Sequence, residues 1–327
     1  MPVDSCVATG TSFRAVSGRI VRGKVPSLRM HPTPSKNALG QMEGRREAAG
    51  VPPDASPRHD IAGTRDGDAT PRPLEETMEK QPGMVSFVGA GPGDPELLTL
   101  KGKRLIEEAA LLLYAGSMIP PALLDLASPR ASVIDAAPLD LEECHSLMLQ
   151  FARAGQPVVH LHTGDPAVYS ALREQLALLD RDGIPWQVVP GITAASAAAA
   201  AAGCSFTVPG ATQSLIMTRM PGRTPMPEQE ALRHLARHGT TLAVYLSAMQ
   251  ARAMQEELEQ SLPAATPVIC AFRLGWPDQQ LIRTRLDLLA GTIEKNGLSR
   301  QTVVLVLPGE GEDAPAPRTC GPHTDHD

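Results

Sequence analysis

The sequence of 327 residues has no long hydrophobic run, few cysteines and no excess of basic residues. No stretch of about 18 or more apolar residues is free of charge, which excludes a transmembrane helix and predicts no membrane partner. The five cysteines are far apart and odd in number. They therefore form neither a disulfide framework nor a CxxC zinc site, and they favour a reducing cytoplasm. The net charge of −6 argues against nucleic-acid binding.

Residues 1–83 differ from the rest of the chain in composition. They carry ten of the 31 prolines, nine of the 28 glycines and a net charge of +2, whereas residues 84–327 carry −8. Because they show no sustained periodicity, we interpret them as a disordered or low-complexity extension. Their basic start allows a targeting peptide, although no apolar core or cleavage signal stands out. The alternative is a start site placed too early, with Met78 or Met84 opening the protein.

From Met84 the chain alternates short apolar runs with amphipathic stretches, which predicts parallel βαβ units. We expect a two-domain α/β fold. Its N-terminal domain, residues 84–205, has a mostly parallel sheet that includes strands over 85–90 and 186–189. Helices lie on both faces, including one over 168–181 and one that Asp140 and Glu143 would begin with a capping box. In residues 206–308 the strands follow each other more closely, which predicts a smaller mixed-sheet domain with a helix over 227–238. The polar residues 309–327 read as a mobile tail.

Three loops follow predicted strands of the first domain and carry most of the functional signal. The first, Gly89–Pro95, has glycines that let backbone N–H groups approach a ligand. It does not fit a dinucleotide fingerprint, since Asp94 occupies the sixth position and Pro92 lacks an N–H donor. No acidic residue ends the second predicted strand, which further disfavours a nucleotide-dependent oxidoreductase.

The second loop, His160–Pro166, also lies at the carboxyl end of a strand, where open α/β sheets bind ligands. Pro166 suits the first position of the following helix, and Asp165 would be its N-cap. This capping role is an alternative to a ligand-binding role for Asp165. His160 and His162 share one face of their strand. They are interpreted as packed or hydrogen-bonded side chains, because no further ligands complete a metal site.

The third loop, Val189–Ser196, turns at Pro190 and Gly191 and continues into a helix of small residues that Thr193 would cap. Small side chains allow the close approach of a backbone or a flat ligand, although an alanine-rich helix is also simply a stable one. Since all three loops follow strands of one βαβ array, we expect them to converge on a single crevice, which disfavours a non-enzymatic binding module.

The three loops together resemble the signature loops of the tetrapyrrole (corrin/porphyrin) methylases. The similar segments are VGAGPGDPELLTLKG at 88–102, HTGDPAVYSA at 162–171 and VPGITAASA at 189–197. The resemblance covers residues 84–308 and implies a two-domain α/β methyltransferase that binds S-adenosylmethionine between its domains and a tetrapyrrole in the trough beside it. It further implies a homodimer. A methylase of this fold that acts on a macromolecule is a rival, but the acidic body disfavours an RNA substrate.

Other segments resemble one branch of that family, the precorrin-4 C(11)-methyltransferases of cobalamin synthesis. They lie at 113–117, 207–214, 217–219 and 272–278. The branch that methylates uroporphyrinogen III usually has Gly-Gly-Asp where this chain has Thr163-Gly164-Asp165, and a Glu-Asn-Gly-Thr segment that is absent near 271–274. We therefore expect methylation of precorrin-4, or of its cobalt-containing counterpart, at ring carbon 11. Another corrin-ring or uroporphyrinogen-III methylation is the alternative.

The resemblance also implies which residues contact S-adenosylmethionine. The family's contacts carry over to Pro92, Thr163, Gly164, Asp165, Val168, Thr193, Ala194, Leu246 and, with an ambiguity of one position toward Gly275, Leu274.

A substrate rich in carboxylates needs local positive charge in this acidic body. Arginine suits that task because its planar fork matches a carboxylate. Arg219, Arg223 and Arg273 lie at or just after predicted strand ends, and we expect them to face the substrate trough, with an ordinary surface role as the alternative for each. Methyl transfer requires mainly alignment of the reacting groups, so no catalytic side chain is assigned.

Overall fold

The computed structural model describes residues 81–310. The interpretations of residues 1–80 and 311–327 lie outside the described residues.

The first half of the described chain forms a sheet of five parallel strands in the order β3-β2-β4-β1-β5. The strands are β1 Val85–Gly89, β2 Leu111–Tyr114, β3 Ser132–Asp135, β4 Val158–His162 and β5 Trp186–Val189. The three central strands, β1, β2 and β4, are buried along their whole length. Helices cover both faces of such a sheet, which is why these strands read as continuous apolar runs.

Five helices follow these strands in turn. They are α1 Leu100–Glu108, α2 Pro121–Leu124, α3 Leu141–Arg153, α4 Leu172–Arg181 and α5 Ala194–Ala202. Two of the predicted starts are confirmed. Asp140 and Glu143 form a reciprocal capping box at α3, and the Thr193 hydroxyl accepts from the Ala195 amide at α5. None of the helices between residues 81 and 310 is long and apolar enough to cross a bilayer.

The helix predicted over 168–181 begins at Leu172, four residues later than expected. The prediction that Asp165 is its N-cap is therefore wrong. Asp165 Oδ1 accepts from the Ala167 amide, which forms a local turn, and Tyr169 takes a left-handed φ of +53°. The helix starts where Ser170 Oγ accepts from the Leu172 amide. The side chain of Asp165 is thereby left free to reach another loop.

The second half forms a mixed sheet in the order β6-β7-β10-β8-β9, as the closer strand spacing predicts. Only β6 and β7 run parallel to each other, and the other neighbours are antiparallel. The strands are β6 Leu215–Arg219, β7 Thr241–Tyr245, β8 Pro267–Phe272, β9 Gln280–Arg285 and β10 Thr302–Val306.

Three short helices, α6 Leu232–Leu235, α7 Ala251–Glu259 and α8 Leu289–Lys295, belong to this second half. The predicted continuous helix over 227–238 is wrong, because Ala231 is extended and separates a 3-10 turn from α6. The Arg233 amide donates to the Glu257 carboxylate on α7 instead of to a carbonyl of its own helix. A tertiary contact thus replaces the helical hydrogen bond at this break.

Helix α5 joins the two halves. It follows β5 of the first sheet, yet its buried alanines pack against one face of the second sheet, with Ala243, Ile269 and Leu305 among their neighbours. The opposite face of the second sheet packs against α6, α7 and α8. The start of α5 therefore lies where the edge of the first sheet meets the second domain.

Candidate functional site

The first two loops join through backbone hydrogen bonds at the carboxyl edge of the parallel sheet. The Gly91 amide donates to the Gly164 carbonyl at 3.2 Å, and the Gly164 amide donates to the Gly91 carbonyl at 2.8 Å. Both glycines have a left-handed φ, of +76° and +67°, which side chains rarely adopt. The glycines predicted to cradle a ligand are therefore also what allows these two loops to meet.

The third loop closes onto the second through the side chain of Asp165. Its Oδ2 accepts from the Gly191 amide at 2.9 Å, while Oδ1 holds the turn at Ala167. The approach of the backbones is close: a Cβ on Gly89 would lie 2.5 Å from the Gly191 nitrogen and 2.7 Å from the Gly164 oxygen. Carboxylate and glycine together join the three loops at one edge of the sheet, as their positions after strands of one βαβ array predict.

Thr193 and Ala194 begin α5 at the same edge. The Thr193 hydroxyl lies 2.5 Å from the phenolic oxygen of Tyr245, and that oxygen also accepts from the Ala195 amide at 3.0 Å. Tyr245 ends β7 of the second sheet, so these contacts cross between the two halves. Sequence reasoning missed Tyr245, since nothing near it in the chain marks a partner at residue 193.

The first loop also touches the second half of the protein. A Cβ on Gly275 would lie 2.9 Å from the Asp94 Cβ, and a Cβ on Gly93 would lie 2.5 Å from Nε1 of Trp276. This contact brings the loop that contains Pro92 against the loop that contains Leu274, two of the positions predicted to bind the cofactor. The indole of Trp276 packing on a glycine explains why Gly93 carries no side chain.

Val168 and Leu246 lie beside a pair of aromatic rings. Val168 precedes Tyr169, whose ring centre is 5.5 Å from that of Tyr245, the neighbour of Leu246. Leu246 has a left-handed φ of +54° and remains 69% exposed. Strained backbone positions of this kind cluster at functional sites, and the role of Leu246 in binding stays a prediction.

The three arginines predicted to face the trough differ in their partners. Arg219 donates to the carbonyls of Met220 and Thr224, both at 3.1 Å. Arg273 binds Asp278 at 2.7 Å and Gln301 at 2.8 Å.

The guanidinium of Arg273 also lies 4.2 Å from the ring centre of Trp276. Arg223 is exposed. Arg219 and Arg273 are thus oriented by the protein, and whether any of the three arginines binds substrate stays a prediction.

His160 and His162 lie buried beneath the second loop, with ring centres 4.6 Å apart. Burial lowers the pKa of His160 to about 4, against the opposing effect of a hydrogen bond that its Nδ1 donates to the side-chain oxygen of Gln175. Burial and the neighbouring His160 lower the pKa of His162 to about 3. Between residues 81 and 310, no cluster of three or more His, Cys, Asp or Glu side chains is arranged to hold a metal ion.

Comparison with known proteins places this geometry in a family. Residues 84–290 match the family of Tetrapyrrole (Corrin/Porphyrin) Methylases. This chain belongs to the tetrapyrrole methylase family. The expected α/β fold is confirmed, because this chain has a parallel and a mixed sheet and the solved structures that it resembles are tetrapyrrole methylases.

Two relatives of this methylase have matching names. It is 42% identical over 220 residues to the cobalt-precorrin-4 C(11)-methyltransferase of Priestia megaterium, covering 67% of this chain and 85% of the relative. It is 43% identical over 222 residues to the precorrin-4 C(11)-methyltransferase of Pseudomonas aeruginosa, covering 68% and 88%.

Two solved structures show the same fold. An X-ray structure of a cobalt precorrin-4 methyltransferase shares 40% identity with a TM-score of 0.67, covering 68% of this chain and 94% of that one. A uroporphyrin-III C-methyl transferase from Thermus thermophilus, complexed with S-adenosylhomocysteine, shares 31% identity with a TM-score of 0.58, covering 69% and 97%.

Proposed function

We propose that this methylase transfers a methyl group from S-adenosylmethionine to carbon 11 of precorrin-4 or cobalt-precorrin-4, a step of cobalamin biosynthesis. The observation that carries the proposal is the junction of the three signature loops at one sheet edge, in a chain about 40% identical to relatives named for this reaction. The resemblance supports a homodimer in the cytoplasm, and sedimentation of the purified chain tests the dimer.

The residues at the junction fit S-adenosylmethionine. The loops approach so closely at Gly89 and Gly191 that no Cβ fits between their backbones, which fixes the three loops around the proposed site. The buried hydroxyl of Thr163 has no hydrogen-bond partner among residues 81–310, so it is available to a ligand. We assign cofactor contacts to one group of positions: Pro92, Thr163, Gly164, Asp165, Val168, Thr193, Ala194, Leu246 and Leu274.

The bound cofactor supplies a methyl group already activated by a sulfonium. What the protein contributes is alignment of the reacting carbons within about 3–3.5 Å and exclusion of water. The joined loops are suited to this work because backbone hydrogen bonds and an aspartate hold them in place. No nucleophilic triad or resident metal is needed for such a displacement, and we assign no proton-abstracting base.

Substrate carboxylates require local positive charge, since residues 84–327 are net acidic. We propose Arg219, Arg223 and Arg273 for this role. Arg219→Ala and Arg273→Ala should each weaken tetrapyrrole binding while S-adenosylhomocysteine binding stays within about twofold. Unchanged tetrapyrrole affinity in both variants would remove the assignment.

The proposed activity is tested with the full chain, S-adenosylmethionine and three acceptors in parallel: precorrin-4, cobalt-precorrin-4 and uroporphyrinogen III. Mass spectrometry counts the methyl groups transferred, and NMR locates each one. We expect a single methyl at carbon 11 of one or both precorrins. Transfer to uroporphyrinogen III alone, or to another ring carbon, would overturn the assignment and leave the family membership standing.

Asp165→Asn tests whether the second and third loops must be joined. The side-chain oxygen of the new asparagine can still accept from the Ala167 amide. Its NH₂ group then faces the Gly191 N–H, so two donors are opposed and the Gly191 amide loses its acceptor. We expect S-adenosylhomocysteine affinity to fall about tenfold or more, because an unsatisfied buried donor costs about 1–3 kcal/mol. Calorimetric titration measures the affinity, and wild-type affinity in the variant would contradict the assigned role.

A further inference from the structure

The phenolic oxygen of Tyr245 forms a hydrogen-bonded link between the two halves of the protein. It lies 2.5 Å from Thr193 Oγ1 and accepts from the Ala195 amide at 3.0 Å. Thr193 Oγ1 also accepts from the Ala195 amide, at 3.2 Å. The first turn of α5 is therefore capped twice, once by its own Thr193 and once by a side chain of the second sheet.

The position of Tyr245 connects residues from both sides of the proposed cofactor cleft. Its hydroxyl bonds to the start of α5, where Thr193 and Ala194 lie. Its own backbone continues directly into Leu246, which has a left-handed φ and an exposed side chain. Its ring packs against Tyr169, which closes the second loop. A shift of Tyr245 would therefore displace proposed contacts from both halves together.

Apolar packing alone defines the position of α5 weakly. The buried side chains of the helix are all alanines, and they lie against a sheet face that includes Ala243 and Ala271 beside the larger Ile269 and Leu305. Alanine methyl groups interlock less deeply than larger side chains, so such a surface specifies one alignment less sharply. A short, directional contact at the end of the helix adds the specificity that this packing lacks.

We infer that Tyr245 is a positioning residue that sets the distance between the start of α5 and Leu246, and thereby the width of the cofactor cleft. It acts through Thr193 and Leu246. The inference rests on the proposed function, because it treats that cleft as the place where S-adenosylmethionine binds. The hydroxyl, and not the ring, is the part of Tyr245 that carries the effect.

Tyr245→Phe tests this inference, since it removes the hydroxyl and keeps the ring. We expect the Kd for S-adenosylhomocysteine, measured by calorimetry, to rise about tenfold. We also expect hydrogen exchange at the Ala195 amide to accelerate, while amides in α3 keep their wild-type rates. Thermal unfolding measured in parallel should shift by less than about 4 °C. A general loss of stability would accelerate exchange in α3 as well.

Tyr114→Phe is the matched control. Tyr114 ends β2 in the first sheet, and its hydroxyl makes no hydrogen bond to residues 81–310. We expect wild-type affinity and wild-type Ala195 exchange in this variant. A Tyr245→Phe protein with affinity within about twofold of wild type, or equal losses in both variants, would overturn the inference.

The exchange measurement also works without a cofactor. Amides in the first turn of a helix ordinarily lack partners. In the unmodified protein we expect the Ala195 amide to be protected from exchange, and free exchange there would refute the link. If wild type binds no S-adenosylhomocysteine, the proposed function fails, whereas faster exchange at Ala195 in Tyr245→Phe than in wild type still decides whether Tyr245 holds α5.

Discussion

The two sheets contribute to the cleft in different ways. At the edge of the parallel sheet, the loops meet through glycines with left-handed φ, such as Gly91 and Gly164, and through backbone hydrogen bonds. At the edge of the mixed sheet, Leu246 and Arg273 adopt left-handed conformations without being glycines. Side-chain contacts from distant residues accompany these conformations. The first edge thus depends largely on glycines, which the sequence shows directly, joined by Asp165. The second depends on side chains with distant partners, as Tyr245 contacts Thr193 and Arg273 contacts Gln301.

Gly191→Ala should produce the largest effect, because it breaks the edge that depends on backbone approach. The new methyl group would lie 2.8 Å from the Gly89 Cα and overlap the Gly164 carbonyl oxygen. Separating these loops should cost about 3 kcal/mol of unfolding free energy and abolish detectable S-adenosylhomocysteine binding. Urea unfolding and calorimetric titration measure the two quantities.

Gly291→Ala is the matched control for that substitution. It lies in α8, and a Cβ there would meet nothing within 4 Å. Because alanine is more stable than glycine inside a helix, the unfolding free energy of the control should rise by about 0.5–1 kcal/mol. Equal losses in the two variants would mean that the converging loops are not what makes Gly191 necessary.

The histidine pair beneath the first edge predicts a loss of stability in acid. Unfolded histidine has a pKa of about 6.5. The folded values of about 4 and about 3 lie below it, so the unfolded chain takes up protons first. Stability is therefore full above pH 6.5 and falls as the pH drops toward 3, by about 2 kcal/mol per histidine at pH 5. Urea unfolding at pH 7 and pH 5 checks this.

His162→Leu isolates one member of the pair. Its loss of stability between pH 7 and pH 5 should be about 2 kcal/mol smaller than that of wild type. The same loss in both proteins would show that His162 does not carry the effect.

Arg273 tests the second edge, where side chains hold a strained backbone. Arg273→Ala should cost about 1–2 kcal/mol, since it removes the contacts with Asp278 and Gln301 and the stack on Trp276. Arg273→Lys should recover less than half of that loss, because lysine keeps the charge and lacks the planar fork. Full recovery of the unfolding free energy by lysine would show that charge alone matters.

Leu246→Gly should have the smallest effect on stability. Glycine adopts the left-handed conformation without strain, which stabilises the folded state by about 1 kcal/mol. It also raises the conformational entropy of the unfolded chain, which destabilises the folded state by a similar amount. The unfolding free energy should change by less than about 1 kcal/mol. The affinity for S-adenosylhomocysteine should nevertheless fall about tenfold, because the exposed leucine side chain is lost from the cleft. A large change in the unfolding free energy with unchanged affinity would show that Leu246 supports the fold and does not contact the cofactor.

Much of the architecture follows from local patterns in the chain. The strands at 85–89 and 186–189 and the cap at Asp140 lie where periodicity and capping chemistry predict them. The errors fall where a tertiary contact competes with helix propensity. At residue 168 the helix is delayed by the turn at Asp165, whose second oxygen accepts from the distant Gly191 amide. After Ala231 the carboxylate of Glu257 accepts from the Arg233 amide. Neither partner is visible in the local sequence.

The candidate site divides in the same way. The glycine loops could be recognised because φ restrictions and close backbone approach demand particular residue types at particular positions. Tyr245 and Trp276 could not be recognised, since a tyrosine or tryptophan after a strand is compatible with many surroundings. The orientation of Arg273 likewise depends on Gln301, 28 residues away, whose role only the folded chain reveals.

The sequence by itself determined the two-sheet α/β class, the three loops and the family, because short-range sterics and hydrophobic periodicity act within a few residues. Only the tertiary structure decided that Asp165 ties two loops together instead of capping a helix, and that Tyr245 joins the start of α5 to the second sheet. Those contacts depend on which distant segments the packed alanine helix and the two sheets bring within hydrogen-bonding distance.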